Sequence, residues 1–195
     1  LTGMTAVLLV EVDSAGTAAQ DLYCVPVALV SEDSVVRLGD SGVAAAMCPV
    51  RSGPSENRVL FDATADPDAS RALLDAIRSN GRYPTRGGVL TATAGKALLT
   101  DPNPDEELAI RRLGVEQTNT SVLFGQKYIL KLFRRLRPGI NPDCEVGRYL
   151  TEVIGFEGIP QFGGMLTYNA QGQPPVTIAM LQSLVEHQGD GWNAT

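Results

Sequence analysis

The chain has 195 residues, of which 44% are hydrophobic and 19% charged, so it can bury one large core or two small ones and is neither disordered nor fibrous. Its net charge of -6 is unevenly divided, because residues 1–107 hold 8 basic and 15 acidic side chains whereas residues 108–195 hold 8 and 7. A nucleic-acid-binding protein would need a much larger basic excess, and the second half is the part that tolerates an anionic ligand.

The first half is predicted to be an antiparallel sheet carrying a helix. Strands are predicted for residues 6–12 and 22–30 and for the segments SVVRLG (34–39), VAAAMC (43–48) and NRVLFDAT (57–64). The polar residues 13–20 are suited to a hairpin connection between the first two of these. In DPDASRALLDAIRSNG, Asp66 is placed to cap a helix, Pro67 to occupy its first position and Gly81 to stop it.

The stretch TDPNPDEE, residues 100–107, holds two prolines and four acids, which favours an extended connection. We take it as a domain boundary. Beyond it, strands are predicted for residues 109–117, 120–126, 127–135, 163–170 and 176–185, with a helix over residues 141–155 between the third and fourth. Asn141 is the predicted cap of that helix, and Val146, Tyr149, Leu150 and Val153 are its predicted buried face.

This order of strands and helix is that of a protein-kinase small lobe. We therefore predict an α+β chain: an antiparallel β-sheet cap domain with a helix over residues 1–105, then a protein-kinase-like N-lobe over residues 106–195. The N-lobe is predicted to be a five-stranded antiparallel sheet plus one αC-type helix, ending at a hinge.

Lys131 and Glu145 are opposite charges on a predicted strand and on the next helix, and could meet in space as the lysine and glutamate of a kinase small lobe do. Strand alternation places Lys131 on the same face as its apolar neighbours, where an isolated ammonium is costly and needs an anion or a route to water. Glu145 lies in the first turn of the following helix, from which it could face the sheet. A structural ion pair, or two solvated side chains, is the alternative interpretation.

The turn before the second strand of the lobe carries Thr118, Asn119, Thr120 and Ser121. Small polar residues with free backbone N–H groups let phosphate oxygens approach closely. The same residues populate ordinary turns, and that alternative stays open.

The sequence offers few residues for a metal site, a disulfide or a histidine-based catalytic site. Cys24, Cys48 and Cys144 are scattered, as expected for thiols in a reducing compartment, and His187 is the only histidine. We predict no metal site and no catalytic residue in this chain. No segment has the roughly 18 apolar residues that would span a membrane, so we expect a cytoplasmic protein without membrane or nucleic-acid partners.

The segment VEQTNTSVLFGQKYILKLFRRLRPGINPDCEVGRYLTE resembles the small lobe of bacterial maltokinases, including the maltokinase part of fused trehalose synthases. These enzymes are related to aminoglycoside phosphotransferases. The resemblance is dense from Val115 to Trp192, where LVEHQGDGW is a further match, and less specific in the first half. It implies an enzyme that transfers the γ-phosphate of ATP to maltose, giving maltose 1-phosphate for α-glucan synthesis.

By this resemblance, Lys131 holds the α- and β-phosphates, Glu145 orients Lys131, and residues 118–121 form the phosphate loop. Gln182, Ser183, Leu184 and Val185 form the hinge beside the adenine. The catalytic C-lobe of the family, with its Mg²⁺ ligands and its maltose pocket, is absent from this chain, which is therefore expected to be inactive alone. Trehalose synthase is a further expected partner of the parent protein. The alternative is a non-catalytic, truncated binding module with a kinase-like small lobe.

Overall fold

The computed structural model describes residues 4–13, 20–51, 57–115 and 118–185, which form two antiparallel sheets with few helices. The strands are β1 (Met4–Asp13), β2 (Gln20–Ser31), β3 (Ala46–Arg51), β4 (Asn57–Asp62), β5 (Arg82–Pro84), β6 (Gly88–Ala94), β7 (Ile110–Val115), β8 (Asn119–Phe124), β9 (Tyr128–Phe133), β10 (Arg135–Leu136), β11 (Phe162–Ala170) and β12 (Val176–Ser183). The helices are α1 (Glu32–Arg37), α2 (Gly39–Ala45), α3 (Pro67–Arg78), α4 (Lys96–Leu99) and α5 (Pro142–Arg148), with a 3-10 turn at Ala63–Ala65 and a π-helical segment at Tyr149–Ile154. Outside the described residues lie residues 14–19 of the connection predicted at 13–20, residues 116–117, and the segment after Val185, which includes His187 and Trp192.

The first sheet has the strand order β1-β2-β4-β3, and the short strand β10 also pairs with β2. The second has the order β5-β6-β11-β12-β9-β8-β7, so the five strands predicted for the second half lie side by side. The sheet nevertheless has seven strands and not five. β6 pairs with the free edge of β11 through residues Gly88 to Ala94, and β5 pairs in turn with β6. Pairing satisfies the backbone groups that an edge strand would otherwise expose.

Strand pairing therefore crosses the predicted boundary in both directions. β6, from the first half, is hydrogen-bonded to β11 from the second, and β10, from the second half, is hydrogen-bonded to β2 from the first. The division of the chain into units 1–105 and 106–195 stays a prediction, while the sheets themselves are built from both halves.

Strands were predicted for residues 34–39 and 43–48, but residues 34–37, 39 and 43–45 are helical, and only residues 46–48 of these segments are in a strand, β3. Ser31 caps α1, since its hydroxyl accepts a hydrogen bond from the Ser34 N–H at 3.3 Å, and Glu32 and Asp33 follow in the first turn. Acidic residues favour a helix N-terminus. This capping signal outweighs the β-branched residues Val35 and Val36.

Helix α3 begins as predicted, with the Asp66 carboxylate accepting from the Asp68 N–H at 3.0 Å and Pro67 in the first turn. Its end differs in one residue. Asn80, at φ 51°, takes the left-handed conformation, while the Gly81 N–H donates to the Ala76 carbonyl at 3.0 Å. This is a Schellman ending, in which asparagine can replace glycine.

The main core lies on the second sheet, where α3 from the first half packs against strands from both halves. Its fully buried members are Leu74, Ile77, Val122, Phe124, Leu130, Leu132, Leu166, Ile178 and Leu181. A smaller core under the first sheet is formed by Ala28, Val30, Ala45, Phe61 and Ala63. In the described part of the chain, no helix is both long and apolar enough to cross a membrane.

Candidate functional site

Lys131 lies on β9 at the centre of a polar strip on the second sheet. It is opposite Ser121 of β8 on one side and opposite Met180 of β12 on the other. Opposed residues of an antiparallel pair share a face, and so do residues two positions apart on one strand. Asn119, two positions before Ser121, and Gln182, two positions after Met180, therefore lie on the same face as Lys131. We call this surface the lysine face. It brings together four predicted site residues: Asn119, Ser121, Lys131 and Gln182.

Thr120 and Ser183 belong to the opposite face of the sheet. Thr120 is opposite Leu132 and is fully buried, and its hydroxyl accepts a hydrogen bond from Arg134 Nε at 2.8 Å. Thr118 is exposed just before β8, and its carbonyl accepts from the Arg134 N–H at 2.8 Å. The predicted phosphate segment therefore presents two of its side chains to the lysine face and one to the interior.

A cavity of about 330 Å³ opens on the lysine face between the sheet and α5; we call it the lysine cavity. Lys131, Asp143 and Gln182 supply its polar side chains. Its other walls are Pro142, Val146, Gly147, Leu150, Ile159, Pro160, Phe162 and Met180. The polar side chains of this apolar slot are one cation, one carboxylate and one amide, and a ligand with a flat apolar part and an anionic part that meets Lys131 would fit it.

Lys131 is half-buried, and within the described ranges no carboxylate lies within 4.0 Å of its ammonium. The positive charge of Lys131 also acts on the buried thiol of Cys144 nearby. Burial is the main cause that raises the pKa of Cys144 to about 12; Asp143 raises it further, and Lys131 opposes the rise. An anionic ligand bound beside Lys131 would supply the opposite charge that its partly buried ammonium lacks among the described residues.

The predicted contact between Lys131 and Glu145 is not present. Glu145 is exposed, and the described ion pairs do not include it. Val146 of α5 lines the lysine cavity, and at about 100° per residue the adjacent Glu145 points about 100° away from it. The assignment of Glu145 to phosphate handling therefore stays a prediction that this arrangement of the helix does not support.

The reason lies in which face of the helical segment is buried. Cys144 and Thr151 are buried to 1% and 2% exposure, whereas Val146 and Val153, from the predicted buried face, are 54% and 69% exposed. That prediction was wrong. The small and polar residues pack on the sheet, because their short side chains let the helix approach it closely.

A second cavity of about 540 Å³ adjoins the first, with Pro142 and Asp143 in the wall of both; we call it the arginine cavity. Thr118 and Asn119 line it on one side. Two cations that the sequence interpretation passed over, Arg135 and Arg137, line it on another. Their signal was the basic run RRLR at residues 134–137, whose first two residues we assigned to a strand without considering a ligand-binding role.

The two arginines differ in their surroundings. Arg135 pairs with Asp21 at 2.7 Å, and hydrogen bonding to Asp21 raises the pKa of Arg135. Arg137 is exposed, and no ion pair to it occurs among the residues that the structure describes. Arg137 is thus the cation of this cavity that remains available to an anion.

At the predicted hinge, two backbone N–H groups already donate hydrogen bonds within the protein. The Ser183 N–H donates to the Gln161 carbonyl at 2.8 Å, and the Leu184 N–H donates to the Lys127 carbonyl at 2.7 Å. The exposed Val185 donates no backbone hydrogen bond to any described residue.

Magnesium ligands are not gathered in the described ranges, where no three Asp, Glu, His or Cys side chains are grouped to hold a metal ion. Asp143 is the carboxylate that lines both cavities. One carboxylate fits the supporting role that proteins often play toward a nucleotide-bound Mg²⁺.

The fold is kinase-like. No protein-family model matches the chain. Its structure is similar to a glucosamine kinase solved in complex with glucosamine, ADP and inorganic phosphate, with 19% identity and a TM-score of 0.50. The similarity covers 98% of this chain but only 38% of that kinase. A second glucosamine kinase structure, in crystal form B, matches with 22% identity, a TM-score of 0.47, and coverage of 97% and 37%.

Proposed function

We propose that this chain is the nucleotide-binding part of an ATP-dependent sugar kinase, with maltose as the phosphate acceptor of the whole protein. The observation that carries the proposal is the Lys131 ammonium. It lies half-buried on a sheet face, beside an apolar slot, without a carboxylate partner among the described residues. The kinase-like fold supports the choice of a nucleotide as the missing anion.

The proposed binding mode uses both cavities. The adenine occupies the apolar slot lined by Leu150 and Met180, whose wall also includes Gln182 of the predicted hinge. The phosphates lie across Lys131 toward Asn119 and Arg137. Kinases gain most of their rate from positioning and charge neutralisation, which is what these cations would supply.

The acceptor sugar is proposed from the resemblance and from the fold. Maltose is implied by the resemblance of residues 115–192 to maltokinases, and the neighbouring solved structure, whose name specifies glucosamine, supports a sugar as the acceptor class. Mg²⁺ bound with the nucleotide would neutralise phosphate charge. We propose that its main ligands and the sugar pocket belong to a further lobe of the parent protein.

Calorimetric titration of the purified chain with ATP and magnesium chloride tests the nucleotide site. We expect saturable binding, and we expect Lys131→Met to weaken it by about tenfold or more, since a charged hydrogen bond contributes about 1.5–3 kcal/mol. Lys96→Met is the matched control, because Lys96 is an exposed lysine away from both cavities.

Absence of ATP binding by the wild-type chain would favour the non-catalytic interaction module. Equal losses in Lys131→Met and Lys96→Met would remove the lysine cavity from the proposal. In the parent protein, turnover with maltose compared with turnover with glucosamine would then identify the acceptor.

A further inference from the structure

Asp62 is the centre of a buried network where the first sheet meets the second. Its Oδ1 accepts from the Thr64 N–H at 3.0 Å and from the Thr64 hydroxyl at 2.7 Å. Its Oδ2 accepts from Arg134 at 2.7 Å and from Arg112 at 3.1 Å. We call these four residues with Thr120 the carboxylate hub. Asp62 itself ends β4, so the hub is anchored in the first sheet.

Arg134 connects this hub to the predicted phosphate segment by two routes. Its Nε donates to the Thr120 hydroxyl at 2.8 Å, and its backbone N–H donates to the Thr118 carbonyl at 2.8 Å. Its own carbonyl accepts from the Cys24 N–H at 2.9 Å, which adds a tie to β2. One residue therefore joins β2, the end of β4 and the start of β8.

Arg112 provides an internal comparison, because its side chain reaches the same carboxylate oxygen and makes no hydrogen bond to residues 118–121 within the described ranges, although its backbone on β7 pairs with β8 at Val122. Asp62 is the hydrogen-bond partner of its side chain within the described ranges, and its Nε is buried without a partner there. The exposed fractions of the two arginine side chains are similar, 21% for Arg112 and 17% for Arg134. The two side chains differ in their hydrogen bonds to β8, since that of Arg134 donates to Thr120 and that of Arg112 donates to Asp62.

We propose that Arg134, held in place by Asp62, is a positioning residue that sets the conformation of residues 118–121 for phosphate binding. The proposal rests on the nucleotide-binding function proposed above. Neither Asp62 nor Arg134 lines the lysine or the arginine cavity, so both act through the backbone and the Thr120 side chain of the segment. The first sheet thereby becomes part of the nucleotide site without contacting the ligand.

The test compares Arg134→Gln with Arg112→Gln in the full 195-residue chain. Each variant removes one guanidinium from Asp62, so both are expected to lower the Tm. Only Arg134→Gln should speed hydrogen exchange of the amides of residues 118–121 and raise the Kd for ATP with magnesium by about fivefold or more. Arg112→Gln should keep the Kd within about twofold of the wild type.

Thr120→Val is the second variant, in case Arg134→Gln does not fold. It leaves the buried ion pair in place and removes the hydroxyl that links Arg134 to β8. We expect it to reproduce the rise in hydrogen exchange and in Kd. Equal exchange at residues 118–121 in Arg134→Gln and Arg112→Gln, or faster exchange with an unchanged Kd, would overturn the proposal.

The outcome is separable from the nucleotide-binding proposal. If the wild-type chain binds no ATP, the proposed function fails, and the exchange rates alone then show whether Arg134 orders the segment. If the wild type binds ATP and the two arginine variants bind it equally well, the nucleotide site stands and the positioning role is rejected.

Discussion

Burial keeps two of the three thiols of this chain in the protonated form. Cys24 and Cys144 are each 1% exposed, and burial is the main cause that raises the pKa of each to about 12. At Cys24 the nearby Arg134 partly offsets this effect, while Asp62 adds to it. Cys48, on β3, is exposed. Since the thiolate is the reactive form, the three cysteines should differ sharply in reactivity.

We predict that one thiol per chain reacts rapidly with a thiol-specific disulfide reagent at about pH 8, and that three react after denaturation. The absorbance of the released thiolate measures both numbers. Cys48→Ser should abolish the fast phase. A fast phase that persists in Cys48→Ser would mean that Cys24 or Cys144 is accessible.

The raised pKa of Cys24 also predicts how stability depends on pH. The unfolded chain, with the ordinary thiol value of 9.0, loses this proton at lower pH than the folded chain, with a value of about 12. The free energy of unfolding should therefore fall as the pH rises from 9.0 toward 12. Urea denaturation across this range measures the slope, which should be shallower in Cys24→Val.

At the scale of elements, the helical segment from Pro142 to Ile154 combines a well-defined start with an exposed apolar side. The Asn141 carboxamide accepts from the Asp143 N–H at 2.9 Å, and the Asn141 N–H donates to the Thr177 hydroxyl at 2.8 Å. Gly155, at φ 73°, ends the segment in the left-handed conformation. The ends of the helix are thus encoded locally, whereas its rotation about its own axis is set by packing.

Asn141→Ala should lower the free energy of unfolding by about 1 kcal/mol, because the first turn loses its side-chain cap. Urea denaturation measures the change. Asn103→Ala is the control, since no hydrogen bond of the Asn103 side chain occurs in the described part of the chain, and it should change stability little. Equal effects of the two substitutions would contradict the capping role.

The orientation of this segment gives a second prediction. Val153→Lys should change the free energy of unfolding by less than about 0.5 kcal/mol, because Val153 is exposed. Thr151→Val should cost about 1–3 kcal/mol. The Thr151 hydroxyl donates to the Gly147 carbonyl at 2.8 Å and accepts from the buried Phe162 N–H at 3.3 Å, which would lose its partner. A larger cost for Val153→Lys than for Thr151→Val would restore the predicted apolar face.

At the scale of the whole molecule, the two halves share sheets, cores and ion pairs. Lys127 pairs with Asp101 at 3.0 Å and with Glu106 at 2.8 Å, so the turn before β9 holds the proline-rich connection. The Tyr128 hydroxyl donates to the same Asp101 carboxylate at 2.8 Å. The connection is thereby tied to the second sheet at two points.

We therefore predict a single cooperative unfolding transition for the chain. Urea unfolding followed by circular dichroism and by hydrogen exchange in each half should give coincident midpoints. The pairing of β6 with β11 is the physical reason, since neither half can keep the second sheet intact alone. Two separate transitions would instead support the division into units at residue 105.

The sequence by itself determined the features that depend on neighbours in the chain. Strand alternation correctly placed Lys131 on a sheet face, and the Asn-Pro and Asp-Pro signals correctly predicted where two helices begin. At residues 34–45 the β-branched residues misled the prediction, although a local signal, the Ser31 cap, was present. Local rules work where hydrogen bonds join residues a few positions apart.

Only the tertiary structure decided which distant parts meet. The pairing of β6 with β11 and the hydrogen bond from Arg134 to Asp62 join residues that are 50 or more positions apart. The rotation of α5 that exposes Glu145 depends on which face of the helix packs better on the sheet. The apolar stripe of Val146 and Val153 predicted burial, but Cys144 and Thr151 fill the narrow space against the sheet. Packing selects the face whose shape fits its neighbour, and a one-dimensional pattern of hydrophobicity does not contain that shape.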